Sequence, residues 1–221
     1  MSGYENDTAA RSALLNALKA LSVKGLNTGA AGNVSVRTDA GMLISPTGIT
    51  PENAEPASMV HMQLSGDVDQ EQLLPSSEWR LHADVYQAKG DVQAVVHCHS
   101  PYATILACAR KAIPPMHYMV AAASVSGIPL ADYATFGSEA LSSANLRALH
   151  NSAACLLANH GQLATGKDLE SALALAELVE SMAHCYWGTL AIGGPALLTD
   201  AQMNEVGSAF TRYGQQNNSK S

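Results

Sequence analysis

The sequence predicts an α/β or α+β fold, and three observations carry that expectation. Apolar runs of strand length recur at Met42-Leu43-Ile44, Ala94-Val95-Val96 and Cys155-Leu156-Leu157-Ala158. Longer stretches such as 8–24 and 168–192 repeat their apolar residues at helical spacing. The two kinds of segment interleave along the chain, which is the pattern of mixed folds; strand order does not follow from it. With 221 residues, 47% of them apolar, there is ample material for one core, and no break in composition divides it. One domain is expected over 1–214, followed by a polar tail, 215–221, expected to lack order. A formal charge of -7 and only 12 Lys plus Arg exclude nucleic acid and anionic membrane surfaces as main partners. No stretch reads as a membrane span and no basic-then-apolar leader is seen, so a cytoplasmic location is expected.

In chain order, Thr8 is expected to cap a helix over 8–24 whose Leu14, Leu18 and Leu21 share a face and which Gly25 stops. A glycine-rich stretch, 26–33, leads into an alternating strand at Val34–Arg37. Thr38-Asp39-Ala40-Gly41 reads as a hairpin turn and Met42–Ile44 as the returning strand. Residues 49–75 read as irregular, with a strand near Val60–Leu64. Ser76-Ser77-Glu78 opens a second helix running to Lys89 and ended by Gly90. A strand then carries His97 and His99, and Ser100 with Pro101 is expected to cap a helix after it. Short strands are expected around Met116–Met119 and Leu130, and a helix over Ser138–His150. A strand ending at His160, a long helix from Asp168 to Ile192, and a last helix from Thr199 to about Gly214 complete the chain.

The chemistry is concentrated in the histidines. A strand sends alternate side chains to opposite faces, so His97 and His99 point the same way about 7 Å apart, close enough to tip toward one ion. If the run ending at His160 lies beside them, a three-histidine face results, the ligand set of many catalytic divalent ions. The competing reading is three partly buried structural histidines. Glu78, at a helix start beside two serines, is either a charge placed on the helix dipole or a fourth ligand and proton-transfer group. Gly29–Asn33, Thr47-Gly48 and Ser76-Ser77 are each ordinary turn formers, but as a set they suit an anion. Tyr118 and Tyr213 are candidate phenols. His82 and His184 fall within helices and are expected at the surface or half-buried. The four cysteines lack metal or redox spacing and read as buried free thiols, with Cys98 turned away from any ion its neighbours share.

Taken in order, Gly-x-Ala-Gly-Asn-Val-Ser-Val-Arg (29–37), Gly-Met-Leu-Ile-Ser-Pro-Thr-Gly-Ile (41–49), Leu-Pro-Ser-Ser-Glu-Trp-Arg (74–80), Ala-Val-Val-His-x-His (94–99), Ile-Pro-x-x-His-Tyr-Met (113–119), Tyr-Ala-Thr-Phe-Gly (133–137) and Asn-His-Gly (159–161) form a set. That set resembles the class II sugar-phosphate aldolase and adducin family over roughly residues 8 to 214, nearest its fuculose-phosphate branch. The resemblance implies a three-layer α/β/α subunit with a largely antiparallel central sheet, and a homotetramer whose active sites lie between subunits. It implies Zn2+ held by His97, His99 and His160, with Glu78 as a resting ligand that swings away to act as acid and base. Gly32, Asn33, Thr47, Gly48, Ser76 and Ser77 would hold a substrate phosphate. Tyr118 would handle the proton on the aldehyde oxygen, while Phe136 and a neighbour's Phe210 and Tyr213 would shape the aldehyde end. The chain departs from the fuculose-phosphate pattern at Ala30, where a threonine hydroxyl is lost. One neutral hydrogen bond contributes on the order of 1 kcal/mol, enough to reshape phosphate binding without abolishing it.

The reaction implied is retro-aldol cleavage of a ketose 1-phosphate, L-fuculose 1-phosphate or a close relative, to dihydroxyacetone phosphate and a short aldehyde. A Schiff-base route needs a buried lysine, and the lysines all sit in polar or helix-end contexts. Two other readings remain: a metal-dependent decarboxylase of a 3-oxo acid 4-phosphate, or another lyase or epimerase of the family, and a non-catalytic adducin-like interaction module. The epimerases typically carry Asp where Glu78 stands, and the adducin-like modules lack the three histidines.

Overall fold

The computed structural model describes residues 7–68 and 71–210. Helix α1 (Asp7–Val23) leads into strands β1 (Asn33–Thr38), β2 (Gly41–Ile44) and β3 (Val60–Met62), then α2 (Trp79–Ala88), β4 (Ala94–Cys98) and α3 (Pro101–Cys108). Strand β5 (Leu130–Ala131), α4 (Glu139–Ala148), β6 (Ala154–Leu157), β7 (Gly161–Gly166), α5 (Leu169–Ala191) and α6 (Asp200–Phe210) follow. The strands form one seven-stranded sheet in the order β3-β2-β1-β4-β7-β6-β5. Every neighbouring pair is antiparallel except β5 with β6.

Alternation along the strands divides the core into two layers of side chains. Val34, Val36, Ala94, Val96 and Cys98 pack with α1, α3 and α5 on one face. Met42, Ile44, Val95 and Leu163 pack with α2 and α4 on the other. Helices on both sides of a sheet give the three-layer α/β/α arrangement. His97 shares parity with Val95, and so its ring emerges on the α2 side, opposite Asn33 of β1.

Local chemistry explains the element ends. At the end of α1, Gly25 takes φ +67° while its N–H bonds Ser22 O and the N–H of Leu26 bonds Leu21 O. This is a left-handed helix stop that glycine adopts at least cost. Asp168 caps α5 by accepting from the Ser171 N–H at 2.7 Å, and Ser138 does the same for α4.

Several expectations are corrected. Thr8 lies within the first turn of α1, which begins at Asp7. Ser100 precedes α3 but makes no side-chain cap; the Glu180 carboxylate accepts from the N–H groups of Tyr102 and Ala103 at 2.9 Å each. Residues 118–122 form a 3-10 turn instead of a strand, because His117 Nδ1 accepts from the Met119 N–H at 3.1 Å. The stretch after His160 is a strand, β7, and it separates β6 from β4. Cys98 and Cys155 are buried, whereas Cys108 and Cys185 are exposed free thiols. His82 is fully buried. Tyr213, the expected helix end at Gly214 and the tail lie outside the described residues. No helix among the described residues is long and apolar enough to cross a membrane.

Candidate metal centre and its cavity

Three elements deliver the four candidate ligands. His97 lies in the wholly buried β4 and His99 follows just beyond its end. His160 stands in the tight turn between β6 and β7, where Asn159 adopts φ +55°. Because β7 pairs directly with β4, that turn brings His160 to the His97 edge without β6 lying alongside. The start of β7 must approach closely for this: a Cβ on Gly161 would stand 2.5 Å from Cys98 O and 2.8 Å from the His99 ring. Glu78 sits at the position before α2, makes no cap bond, and turns its carboxylate inward.

The ligand atoms of Glu78, His97, His99 and His160 all lie within 4.8 Å of one another. His97 Nε2 is 3.1 Å from His99 Nε2 and 3.2 Å from Glu78 Oε2, and His160 Nε2 is 3.2 Å from Glu78 Oε1. His97 Nδ1 donates to Gln162 O at 2.8 Å, which fixes the ring with Nε2 toward the cluster. Burial, and then the charge of His97, push His99 and His160 down to about 4. Burial by itself would raise the Glu78 carboxyl, yet His97, His160 and the Asn33 amide bring it down to about 2. At neutral pH an ionised carboxylate thus faces the lone-pair-bearing rings of His99 and His160, an arrangement that calls for a cation between them. Glu78 Oε1 is buried without a hydrogen-bond partner, as an oxygen reserved for a metal would be. The donor set of three nitrogens and one oxygen fits a divalent transition ion, zinc foremost. Cys98 is excluded as a ligand: it faces the opposite layer, and burial pushes its thiol up to about 12.

A cavity of about 380 Å³ opens over this cluster, and Gly32, Asn33, Thr47, Ser76, Ser77 and Phe136 line it with Glu78, His99 and His160. Two loops are zipped together to make its polar wall, with Ser76 N–H donating to Ser45 O and Thr47 N–H to Leu74 O. Ala30 also lines the cavity, so the missing threonine hydroxyl is missing from this wall. Gly48 lies just outside the lining. Tyr133, Ala134 and Asn159 line it although sequence reasoning did not single them out; Tyr133 sits in the Tyr-Ala-Thr-Phe-Gly segment and could have been taken with Phe136. Tyr118 and Phe210 do not reach the cavity of their own chain. Tyr118 is 50% exposed and stacks on His117, with Phe210 at 6.4 Å, on a separate surface.

Behind Glu78 runs a buried polar chain that no local sequence pattern marks. Asn33 Nδ2 donates to Glu78 Oε2 at 3.1 Å, and Asn33 Oδ1 lies 2.5 Å from His82 Nε2. His82 Nδ1 in turn lies 2.7 Å from Ser35 Oγ, which is 2.7 Å from the Tyr86 hydroxyl. Burial, and after it the charge of His97, lower His82 to about 3, so its ring is neutral.

The sequence profile of the Class II Aldolase and Adducin N-terminal domain matches residues 12–187. The chain belongs to the class II aldolase and adducin family. It is an enzyme of the metal-dependent, class II aldehyde-lyase type. It is 43% identical over 206 residues to a 5-methylthioribulose-1-phosphate/5-deoxyribulose-1-phosphate aldolase of Rhodospirillum rubrum, covering 93% of each chain. It is 46% identical over 191 residues to the L-fuculose phosphate aldolase of Escherichia coli, covering 86% of this chain and 88% of that one. Among solved structures, an L-fuculose 1-phosphate aldolase superposes with a TM-score of 0.89 at 36% identity, covering 92% of this chain and 96% of the other. The mostly antiparallel seven-stranded sheet between helical layers is the class II aldolase fold.

Proposed function

We propose that this enzyme cleaves a ketose 1-phosphate, L-fuculose 1-phosphate or a close relative, to dihydroxyacetone phosphate and a short aldehyde. One observation carries the reading. Three imidazole nitrogens and a buried carboxylate oxygen that accepts no hydrogen bond converge beneath a cavity walled by hydroxyls and turns. Relatives acting on L-fuculose phosphate and on 5-deoxyribulose 1-phosphate support the substrate class. Tyr133, Ala134 and Phe136 give the cavity an apolar side suited to an aldehyde without a polar terminus.

In this reading His97, His99 and His160 would hold one zinc ion per subunit, and Glu78 would serve as the fourth ligand at rest. The bound ion would act as a Lewis acid for the charge that builds on the substrate as its C3–C4 bond breaks. Glu78, freed from its resting position, moves the proton at C3. Gln162 O keeps His97 in the ligating tautomer. Gly32, Asn33, Thr47, Gly48, Ser76 and Ser77 hold the phosphate through N–H groups, an amide and hydroxyls, with no cationic side chain lining the wall. Tyr118 takes the C4 hydroxyl proton and, with Phe210 and Tyr213, comes from a neighbouring subunit, a reading supported by the absence of Tyr118 and Phe210 from the lining of their own chain's cavity. A homotetramer with shared sites satisfies that requirement. Residues 1–214 then act as one unit, and four cysteines without a disulfide suit the cytoplasm.

The test is a panel of 1-phosphorylated ketoses differing at C4 and C5, assayed separately for dihydroxyacetone phosphate and for carbon dioxide from 3-oxo acid 4-phosphates. The reading expects dihydroxyacetone phosphate from at least one ketose. Carbon dioxide release without it would replace the aldolase by a decarboxylase.

A further inference from the structure

Beyond Asn33, the buried polar groups behind Glu78 have no part in the reaction just described, yet the proton directions of the whole chain follow from one end. A carboxylate only accepts, so Asn33 turns Nδ2 toward Glu78 Oε2 and leaves Oδ1 facing His82. Oδ1 also only accepts, so His82 Nε2 carries the ring proton. Its Nδ1 is then bare and accepts from the Ser35 hydroxyl. The register of two elements builds this contact. Glu78 and His82 are one turn apart at the start of α2, while Asn33 and Ser35 alternate onto the same face of β1 and bracket the His82 ring. His82 and Ser35 are wholly buried and Asn33 is 3% exposed, so no bulk water can substitute for a missing partner.

We propose that His82 is a positioning residue for the cleavage reaction: its Nε2 proton locks the Asn33 amide with the NH2 group toward Glu78 and the cavity. The reversed amide would set a carbonyl oxygen against the Glu78 carboxylate and against an incoming phosphate, opposing both. This role rests on the function proposed above, since it concerns the residues that would serve it. It also explains why a histidine with no motif around it is the most deeply enclosed imidazole outside the ligand set.

The experiment compares His82→Leu, which removes the donor, with His82→Gln, whose side-chain N–H reaches nearly the same point. Cleavage of the ketose 1-phosphate should lose at least about tenfold in kcat/KM in the leucine variant and recover to within about threefold in the glutamine variant. In an Asn33→Ala background, His82→Leu should cost less than about threefold more, because the residue it acts through is gone. Equal losses in the two His82 variants, or losses that multiply with Asn33→Ala, would overturn the proposal. A second measurement uses the unmodified enzyme and holds even if His82→Leu does not fold. A long-range 1H–15N correlation spectrum of 15N-histidine-labelled protein should find His82 as the Nε2–H tautomer, and an Nδ1–H tautomer would refute the lock. If the unmodified enzyme cleaves no ketose phosphate, the functional reading falls and this spectrum still decides the lock.

Discussion

Lowering the pH from 7.5 to 5.5 should leave zinc affinity within about tenfold of its starting value, which is unusual for a histidine site. Ligation needs the deprotonated imidazole, so protons compete with the metal wherever the free ring titrates. A ring with the ordinary pKa of about 6.5 is protonated roughly ten to one at pH 5.5, and each such ligand weakens the metal by about tenfold. Two of them would cost about a hundredfold, close to 3 kcal/mol. Here burial holds His99 and His160 at about 4, so at pH 5.5 both rings remain almost entirely neutral. Glu78, at about 2, is ionised throughout the range. The assay is a competition titration of the metal-free protein against a chromophoric chelator at pH 7.5, 6.5 and 5.5, corrected for the chelator's own protonation. A loss of a hundredfold or more would show that His99 and His160 titrate as exposed rings do, and the packed, pre-deprotonated cluster would be refuted.

The other expected outcomes test separate links. Glu78→Gln keeps a neutral oxygen near the ion but cannot move a proton, so metal content should stay stoichiometric while exchange of the C3 proton falls by at least about a hundredfold; unchanged exchange would remove Glu78 from that role. Gly161→Ala forces a methyl against Cys98 O and the His99 ring and should destabilise the fold by about 1–3 kcal/mol, seen as a lowered Tm with weakened metal binding. An unchanged Tm would contradict the close approach of β7 to β4. In the metal-free protein, His82, His99 and His160 have folded pKa values below their ordinary 6.5. Their contribution is therefore complete above pH 6.5 and is lost as the pH falls toward their folded values. For the wholly buried His82 alone the loss by pH 5 is on the order of 2 kcal/mol, and thermal melts at pH 7, 6 and 5 should show a falling Tm.

What the sequence revealed, and what it hid, follows from the range of the interactions involved. The pairing of His97 with His99 needs only strand alternation, a local rule, and the rings meet as that rule requires. The route by which His160 joins them is non-local. Residues 161–166 hold two strongly apolar positions at most between terminal glycines, and only pairing with β4 on one side and β6 on the other makes them a central strand. The same cause hid the cap of α3, supplied by Glu180 about eighty residues later in place of the adjacent Ser100. His82 read as an ordinary helical histidine because its partners, Asn33 and Ser35, lie on a strand almost fifty residues earlier. The anion loops were individually plain turns. Their meaning depends on the backbone bonds that zip 45–47 against 74–76 around one cavity. Tyr118 and Phe210 mark the other boundary of single-chain reasoning, since each belongs to a surface that its own cavity does not use.

The central claim is that the four-ligand cluster is a metal centre on which carbon–carbon cleavage depends. Dialysis against a strong chelator, followed by an assay of dihydroxyacetone phosphate release before and after one equivalent of zinc, tests it most directly. The account predicts that activity disappears with the metal and returns near one ion per subunit. Full activity in protein shown by elemental analysis to contain no metal would contradict it.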